Sequence, residues 1–343
     1  MRTLTRRELN RALLARQLLL EPADLSLPAA LERLCGIQAQ YAPSMYFGLW
    51  SRLRDLQPAA LTAALTEREV VQGTLMRVTI HLVSPRDYRP FAVAVREARR
   101  ALWLRAWKEP GDDAMTEAAR TLRAALDGGE ALPRREVERL IGKAATRGIH
   151  LWLDIVRVPP SGTWERRRAD LFGAADDWIP DGPEPDPDTA MDLLVRRYLA
   201  AFGPASRKDV QSFTGLGLTA LKPVLERVAT ERFLDEDGGE LLDVPGAPLP
   251  DPDTPAPPRL LPTFDATLLV HARRTGLLPE RFRPLIFHSK NPQSSPTFLV
   301  DGEVAGTWRL DGDGFRAEPF ERVPAKALRE VRAEGERLAA TFG

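Results

Sequence analysis

Gln38 and Gln40 stand on either side of one alanine in "CGIQAQYAPSMYFGLW", residues 35–50. A carboxamide does not ionise near neutral pH, so neither serves as a general base; each offers a carbonyl acceptor and an NH2 donor. Residues at i and i+2 share a face only where the backbone is extended, as at a helix end, and there two amides converge. The alternative is a pair of exposed or helix-capping glutamines. In the strand-like "VQGTLMRVTIHLVS", Arg77, Thr79 and His81 occupy alternate positions, which places all three on one strand face, the alternative being a solvent-facing polar edge. The other chemistry-bearing types are sparse. His81, His150, His271 and His288 have no metal-ligand spacing, so no metal site is expected. A single cysteine, Cys35, excludes an internal disulfide framework and reads as a small buried apolar residue rather than a nucleophile. "GLGLTA" falls in a turn between helices rather than after a strand, and is not a phosphate loop.

A chain of 343 residues with 43% apolar and 28% charged residues can bury a sizeable core and is expected to be a soluble, cytoplasmic protein of several domains. No run approaches about 20 uninterrupted apolar residues, so no membrane partner is expected. The 48 basic and 48 acidic residues cancel, but they are segregated along the chain. Residues 77–108 carry Arg77, Arg86, Arg89, Arg96, Arg99, Arg100, Arg105 and Lys108 against Asp87 and Glu97, while "DDWIPDGPEPDPD" is acidic. All but six of the basic residues are arginine, whose planar fork suits bidentate phosphate contacts. Zero net charge therefore does not argue against a polyanionic partner.

The elements that must hold these residues repeat. Apolar residues recur at helical spacing in "TRRELNRALLARQLLL" and "LPAALERLCG", and Thr5 with Glu8 fits a capping box. A strand pair follows. A second cycle has helices in "TEAARTLRAALDG" and "LPRREVERLIG", then two strand-like stretches about Pro159-Pro160-Ser161-Gly162. The third is the clearest: a helix, a Gly-Pro break, a short helix from near Ser206, a glycine turn, a helix from about Leu218, and a hairpin at Asp237-Gly238-Gly239. That is a helix-turn-helix with a wing. Beyond the proline-dense "PGAPLPDPDTPAPP", a hairpin is expected at Asp301-Gly302 and an amphipathic helix at the end. "GTW" at 162–164 and 306–308 is expected to pack an indole in each hairpin. The fold class is α+β, mainly helical, with three tandem winged-helix units at 1–110, 111–180 and 188–245 and a β-rich element with its helix at 259–343. Three such cycles favour nucleic acid over the protein-interaction role that one winged helix often has.

"LCGIQAQYAPSMYFGLWSRL", "GTLMRVTIHLVSPRDY", "LLPTFDATLLVHARR" and "LVDGEVAGTWR" occur in an order and spacing that resembles the winged-helix DNA glycosylases of the AlkZ/YcaQ type, over nearly the whole chain. The resemblance implies a C-shaped, DNA-embracing body and a Gln-aliphatic-Gln or Gln-aliphatic-Asp motif carrying the chemistry, matched here in the form of the Gln-x-Gln branch by Gln38-Ala39-Gln40. It implies a monofunctional glycosylase, acting without cofactor as a monomer on duplex DNA with bulky N7-alkylated purines or interstrand crosslinks. With it come a polar face of Arg77, Thr79 and His81, His81 touching phosphate or sugar. Arg157, Arg166, Arg167, Arg168, Arg207, Lys208 and Lys290 are then expected to bind the DNA backbone. The alternative is a non-catalytic winged-helix regulator.

Overall fold

The computed structural model describes residues 1–107, 109–180, 182–269, 276–287, 294–312 and 314–343; Lys290, His271 and His288 lie outside the described residues. Helices begin where a side chain satisfies the free N–H groups of the first turn. Thr5 and Glu8 form the capping box of helix Arg6–Arg16, and Ser206 and Asp209 form another at helix Arg207–Thr214. The latter ends on Gly215 in the left-handed region, φ +73°. Helix Leu218–Val228 and the strands Glu231–Leu234 and Glu240–Asp243 follow. The hairpin at Asp301-Gly302 joins Thr297–Val300 to Glu303–Asp311.

Three sheets form among the described residues. The largest is antiparallel, in the order Ile37–Gln38, Ile80–Val83, Val71–Thr74, Ile155–Arg157, Leu171–Ala174 and Leu132–Pro133. It runs across residue 110, because Gln72 pairs with Arg157 and Gly73 with Val156. Glycine is required at this junction, since a Cβ on Gly73 would overlap the ring of Tyr88, whose hydroxyl donates to the Ile155 carbonyl at 3.0 Å. Residues 1–110 and 111–180 thus contribute to one sheet.

A second sheet pairs Arg2–Thr3 in parallel with Glu231–Leu234, which places the N-terminal strand against the third unit rather than the first. Arg16 secures the following helix there with a fully buried bidentate pair to Asp243, 2.7 and 2.8 Å. Buried in this way, each partner depends on the other, and removing one costs about 3–5 kcal/mol.

The third sheet is an antiparallel meander of Arg259–Leu261, Thr297–Val300, Glu303–Asp311 and Gly314–Pro319, covered by helix Ala325–Phe342. Trp308 Nε1 donates to the Leu261 carbonyl at 3.0 Å. Phe47 lies edge-on to Trp308 at 5.4 Å and to Trp164 at 5.5 Å, so both "GTW" indoles seat on one ring of helix Ala42–Trp50. The main core joins helix Pro85–Ala106 to helix Pro187–Phe202 through Phe91, Leu194, Tyr198 and Phe213, all buried. The fold is α+β, and no helix among the described residues is long and apolar enough to cross a membrane.

Candidate active site

Helix Leu27–Leu34 ends on two left-handed residues, Cys35 and Gly36 (φ +59° and +75°), which redirect the chain into strand Ile37–Gln38. The backbone is therefore extended as it enters the glutamine motif, at Ile37 and Gln38, and bends at Gln40. Gln38 pairs with His81, and the Ala39 N–H donates to the Ile80 carbonyl at 2.7 Å. Gln38 is 6% exposed, whereas Gln40 is open to solvent.

Both amides are oriented by groups that can only donate. Gln38 Oε1 accepts from Arg77 Nη2 at 3.1 Å, and Gln40 Oε1 accepts from the Ile80 N–H at 3.2 Å. Each carbonyl keeps one lone pair. They border different spaces and do not open on a common one, unlike the convergence expected from the sequence: Gln38 lines a narrow cleft with Ser44 and Asp265, and Gln40 lies on the wall of a wide cavity.

The strand pair expected here is present, but the strand expected to carry Arg77, Thr79 and His81 on one face does not extend back to Arg77. Val71–Thr74 and Ile80–Val83 are joined by a turn in which Arg77 and Val78 both have positive φ, +55° and +60°. Leu75 N–H donates to the Thr79 carbonyl at 3.0 Å and closes it. Arg77, Thr79 and His81 therefore share no strand face. Thr79 Oγ1 is spent within the turn, donating to the Met76 carbonyl at 3.1 Å.

Arg77 nevertheless reaches the motif. Its Nη1 donates to the Phe213 carbonyl at 2.7 Å, and Nη2 lies 3.3 Å from His81 Nε2 as well as bonding Gln38. His81 Nδ1 donates to the Thr79 carbonyl at 2.9 Å, which leaves Nε2 as the acceptor facing Arg77. Burial, then the Arg77 charge, holds the imidazole well below its ordinary pKa and neutral. With 2% of its surface exposed, His81 does not reach a phosphate, contrary to the expectation from the sequence; it supports Arg77 instead.

Behind this network lies Arg99, 4% exposed, whose Nη2 is 3.4 Å from the Thr214 carbonyl. Burial pushes Arg77 down to about 10, and burial plus the neighbouring Arg77 pushes Arg99 down to about 9. Both stay cationic at neutral pH. No carboxylate among the described residues pairs with either, so positive potential is concentrated behind Gln38.

The cavity beside Gln40 has a volume of about 650 Å³. Arg134, Arg147, Arg157, Arg167 and Arg168 line it, with Tyr41, Val78 and His150, and no carboxylate lies on its wall among the described residues. Arg157 extends from the shared sheet, stacks over Phe172 at 4.4 Å and donates through Nη2 to Thr74 Oγ1 at 3.0 Å. Its Nε and Nη1 are sealed without partners, and burial pushes its pKa down to about 10. His150, pushed down to about 3 by burial and then by Arg157, is neutral.

The remaining arginines differ. Arg167 stacks on Trp164 at 5.2 Å and lies 3.5 Å from the Tyr41 hydroxyl. Arg166 is paired with Asp170 at 3.0 Å, and Arg168 lies 3.4 Å from the same carboxylate. Arg207 is paired with Glu240 at 3.1 Å, and Lys208 is exposed beside it. Those two sit at the start of helix Arg207–Thr214, about 9 Å along its axis from the Phe213 carbonyl that Arg77 touches. Arg99, Arg134, Arg147, Tyr41 and Val78 carry no motif that distinguishes them in the sequence; only the sheet across residue 110 brings four of them, all but Arg99, to one cavity.

The family described as DNA glycosylase AlkZ-like matches residues 31–341 of this chain. The chain is 27% identical over 351 aligned residues to the interstrand DNA cross-link repair glycosylase of Streptomyces sahachiroi, covering 88% of this chain and 87% of that protein. The solved structure of Streptomyces sahachiroi DNA glycosylase AlkZ matches the fold with a TM-score of 0.81 at 21% identity, over 98% of this chain and 97% of that one.

Proposed function

The chain belongs to the AlkZ-like DNA glycosylase family, and we propose that it hydrolyses the N-glycosidic bond of bulky N7-alkylated purines in duplex DNA, interstrand crosslinks included, with Gln38 and Gln40 positioning the water. Membership sets aside the non-catalytic regulator. The crosslink substrate enters through the activity in the relative's name. The observation that carries the site assignment is that both amides are oriented by protein donors, with Gln40 opening on a cavity lined by arginines and no described carboxylate.

Glycosidases commonly place paired carboxylates about the bond to be cleaved. An N7-alkylpurine changes the requirement. It already bears a positive charge, and when the C1′–N bond breaks the electron pair neutralises it, so no general acid is needed. In this reading one water bridges the two spaces that the amides border, donating to the lone pair each Oε1 retains, and its own oxygen attacks C1′. The amide dipoles stabilise positive charge growing on the sugar, and the released proton passes to solvent. An unmodified purine leaves too reluctantly for so mild a site, which gives selectivity for damage.

Arg147, Arg167 and Arg168 hold the flanking phosphates in this reading, Arg157 adding positive charge behind them, with Arg207, Lys208 and Lys290 along the outer path. The succession of helix, turn, helix and hairpin over residues 207–243 supports the third winged-helix unit of the set 1–110, 111–180 and 188–245. Together with 259–343, these units form a C-shaped monomer around the duplex. Incubation with duplex DNA carrying N7-alkylguanine is expected to yield alkali-labile abasic sites. The absence of cleavage over several adducts, or full activity in a Gln38→Ala, Gln40→Ala double variant, would overturn the assignment.

A further inference from the structure

Val78 sits at the tip of the turn that carries Arg77, with half of its surface (50%) exposed. A β-branched side chain at φ +60° is crowded against its own backbone, and here the preceding residue is left-handed too. Such conformations persist only where the surroundings enforce them. They do so on every side: Leu75 and Met76 are fully buried, the Leu75 N–H bonds to Thr79, and Arg77 ties the turn to Phe213 and Gln38. The strain brings no burial of Val78 itself. Asparagine or glycine would suit both the backbone and the solvent better. Yet an aliphatic side chain is held rigidly outward on the wall that Gln40, Arg147 and Arg167 also line.

We propose that Val78 is a wedge that enters the base stack of duplex DNA beside the modified nucleotide. The inference rests on the glycosylase reading for its substrate. Arginines on the cavity wall attract the backbone, but they cannot part stacked bases; a small apolar group on a stiff support can, as apolar wedges in bent protein–DNA complexes do. The turn delivers that group next to the glutamines, because Arg77 joins the two. Unstacking there exposes C1′ without a closed base pocket, which a bulky adduct or a crosslinked base would not enter.

The test uses duplexes carrying N7-alkylguanine, stabilised by fluorine on its sugar, beside a fluorescent adenine analogue that stacking quenches. The wild-type protein is expected to raise the emission; Val78→Asn is expected not to, and Val78→Leu restores the rise. Because asparagine favours the left-handed region, Val78→Asn should melt no lower than wild type, which separates loss of the wedge from loss of the fold. Excision from the unfluorinated duplex is expected to fall roughly tenfold in Val78→Asn, the effect of one aliphatic side chain left in water. The loss shrinks where a mismatch has already broken the stack. Wild-type excision with an unchanged signal and rate in Val78→Asn would overturn the wedge and leave the glycosylase reading standing. A Val78-dependent signal without excision of any adduct would overturn the glycosylase reading and leave the wedge.

Discussion

Arg77 Nη2 donates to Gln38 Oε1 at 3.1 Å while its Nη1 donates to the Phe213 carbonyl at 2.7 Å, so one guanidinium links the glutamine motif to helix Arg207–Thr214. The same Nη2 faces neutral His81. Arg77→Ala frees the Gln38 amide to rotate. Single-turnover excision at saturating enzyme is expected to slow about a hundredfold, the scale of a small misplacement of a reacting group. Arg77→Lys should recover little, since a compact ammonium cannot reproduce the fork between these acceptors. A wild-type rate in Arg77→Ala would show that the amide needs no such anchor.

The two glutamines should separate by stability although they act together in catalysis. Either alanine substitution is expected to lower the single-turnover rate by roughly 10²-fold or more, the usual effect of deleting one oriented dipole from a reaction site. Gln38 is buried and accepts from Arg77, so Gln38→Ala should also cost about 1–3 kcal/mol in denaturant unfolding. Gln40 is exposed, and Gln40→Ala should stay within about 0.5 kcal/mol of wild type. Equal stability losses with unequal rates would contradict this division.

What the sequence made legible was local. The capping box at Thr5, the helix start near Ser206, the glycine turns at Gly238 and Gly302, and the extended backbone at Gln38 all follow from side-chain and backbone preferences within a few residues. The turn at Arg77 and Val78 was hidden because alternating Val, Thr and Ile read as one strand, and valine is among the poorest residues for a left-handed position. Long-range pairings were equally hidden: nothing near Arg2 foretells its partner Phe233, or near Gln72 its partner Arg157. The cavity depends on that second pairing.

The arginines should differ in what they contribute to DNA binding. Among the described residues Arg147 and Arg167 line the cavity without a carboxylate partner, whereas Arg166 and Arg207 are held by Asp170 and Glu240. In Arg147→Ala, Arg167→Ala the slope of log affinity against log salt is expected to flatten by about 1 for each phosphate that is no longer neutralised, equally for different sequences. Arg166→Ala and Arg207→Ala should change it less. The reverse order, measured by salt titration of duplex binding, would place the DNA path along the outer surface.

His150 should make the fold sensitive to mild acid. Burial holds it near a pKa of about 3 when folded, against an ordinary 6.5 when unfolded. Above pH 6.5 both states are neutral and His150 exerts no pH effect. As pH falls below 6.5 the unfolded chain takes up a proton that the folded protein refuses, and stability drops by about 1.4 kcal/mol per pH unit until about pH 3. Asp87, raised to about 6 by burial, works in the opposite sense, so the total curve does not isolate the histidine. The difference between wild type and His150→Leu does. Their unfolding free energies, measured in denaturant from about pH 7 to about pH 5, are expected to diverge with that slope, wild type losing more; parallel curves would mean that His150 is protonated in the cavity.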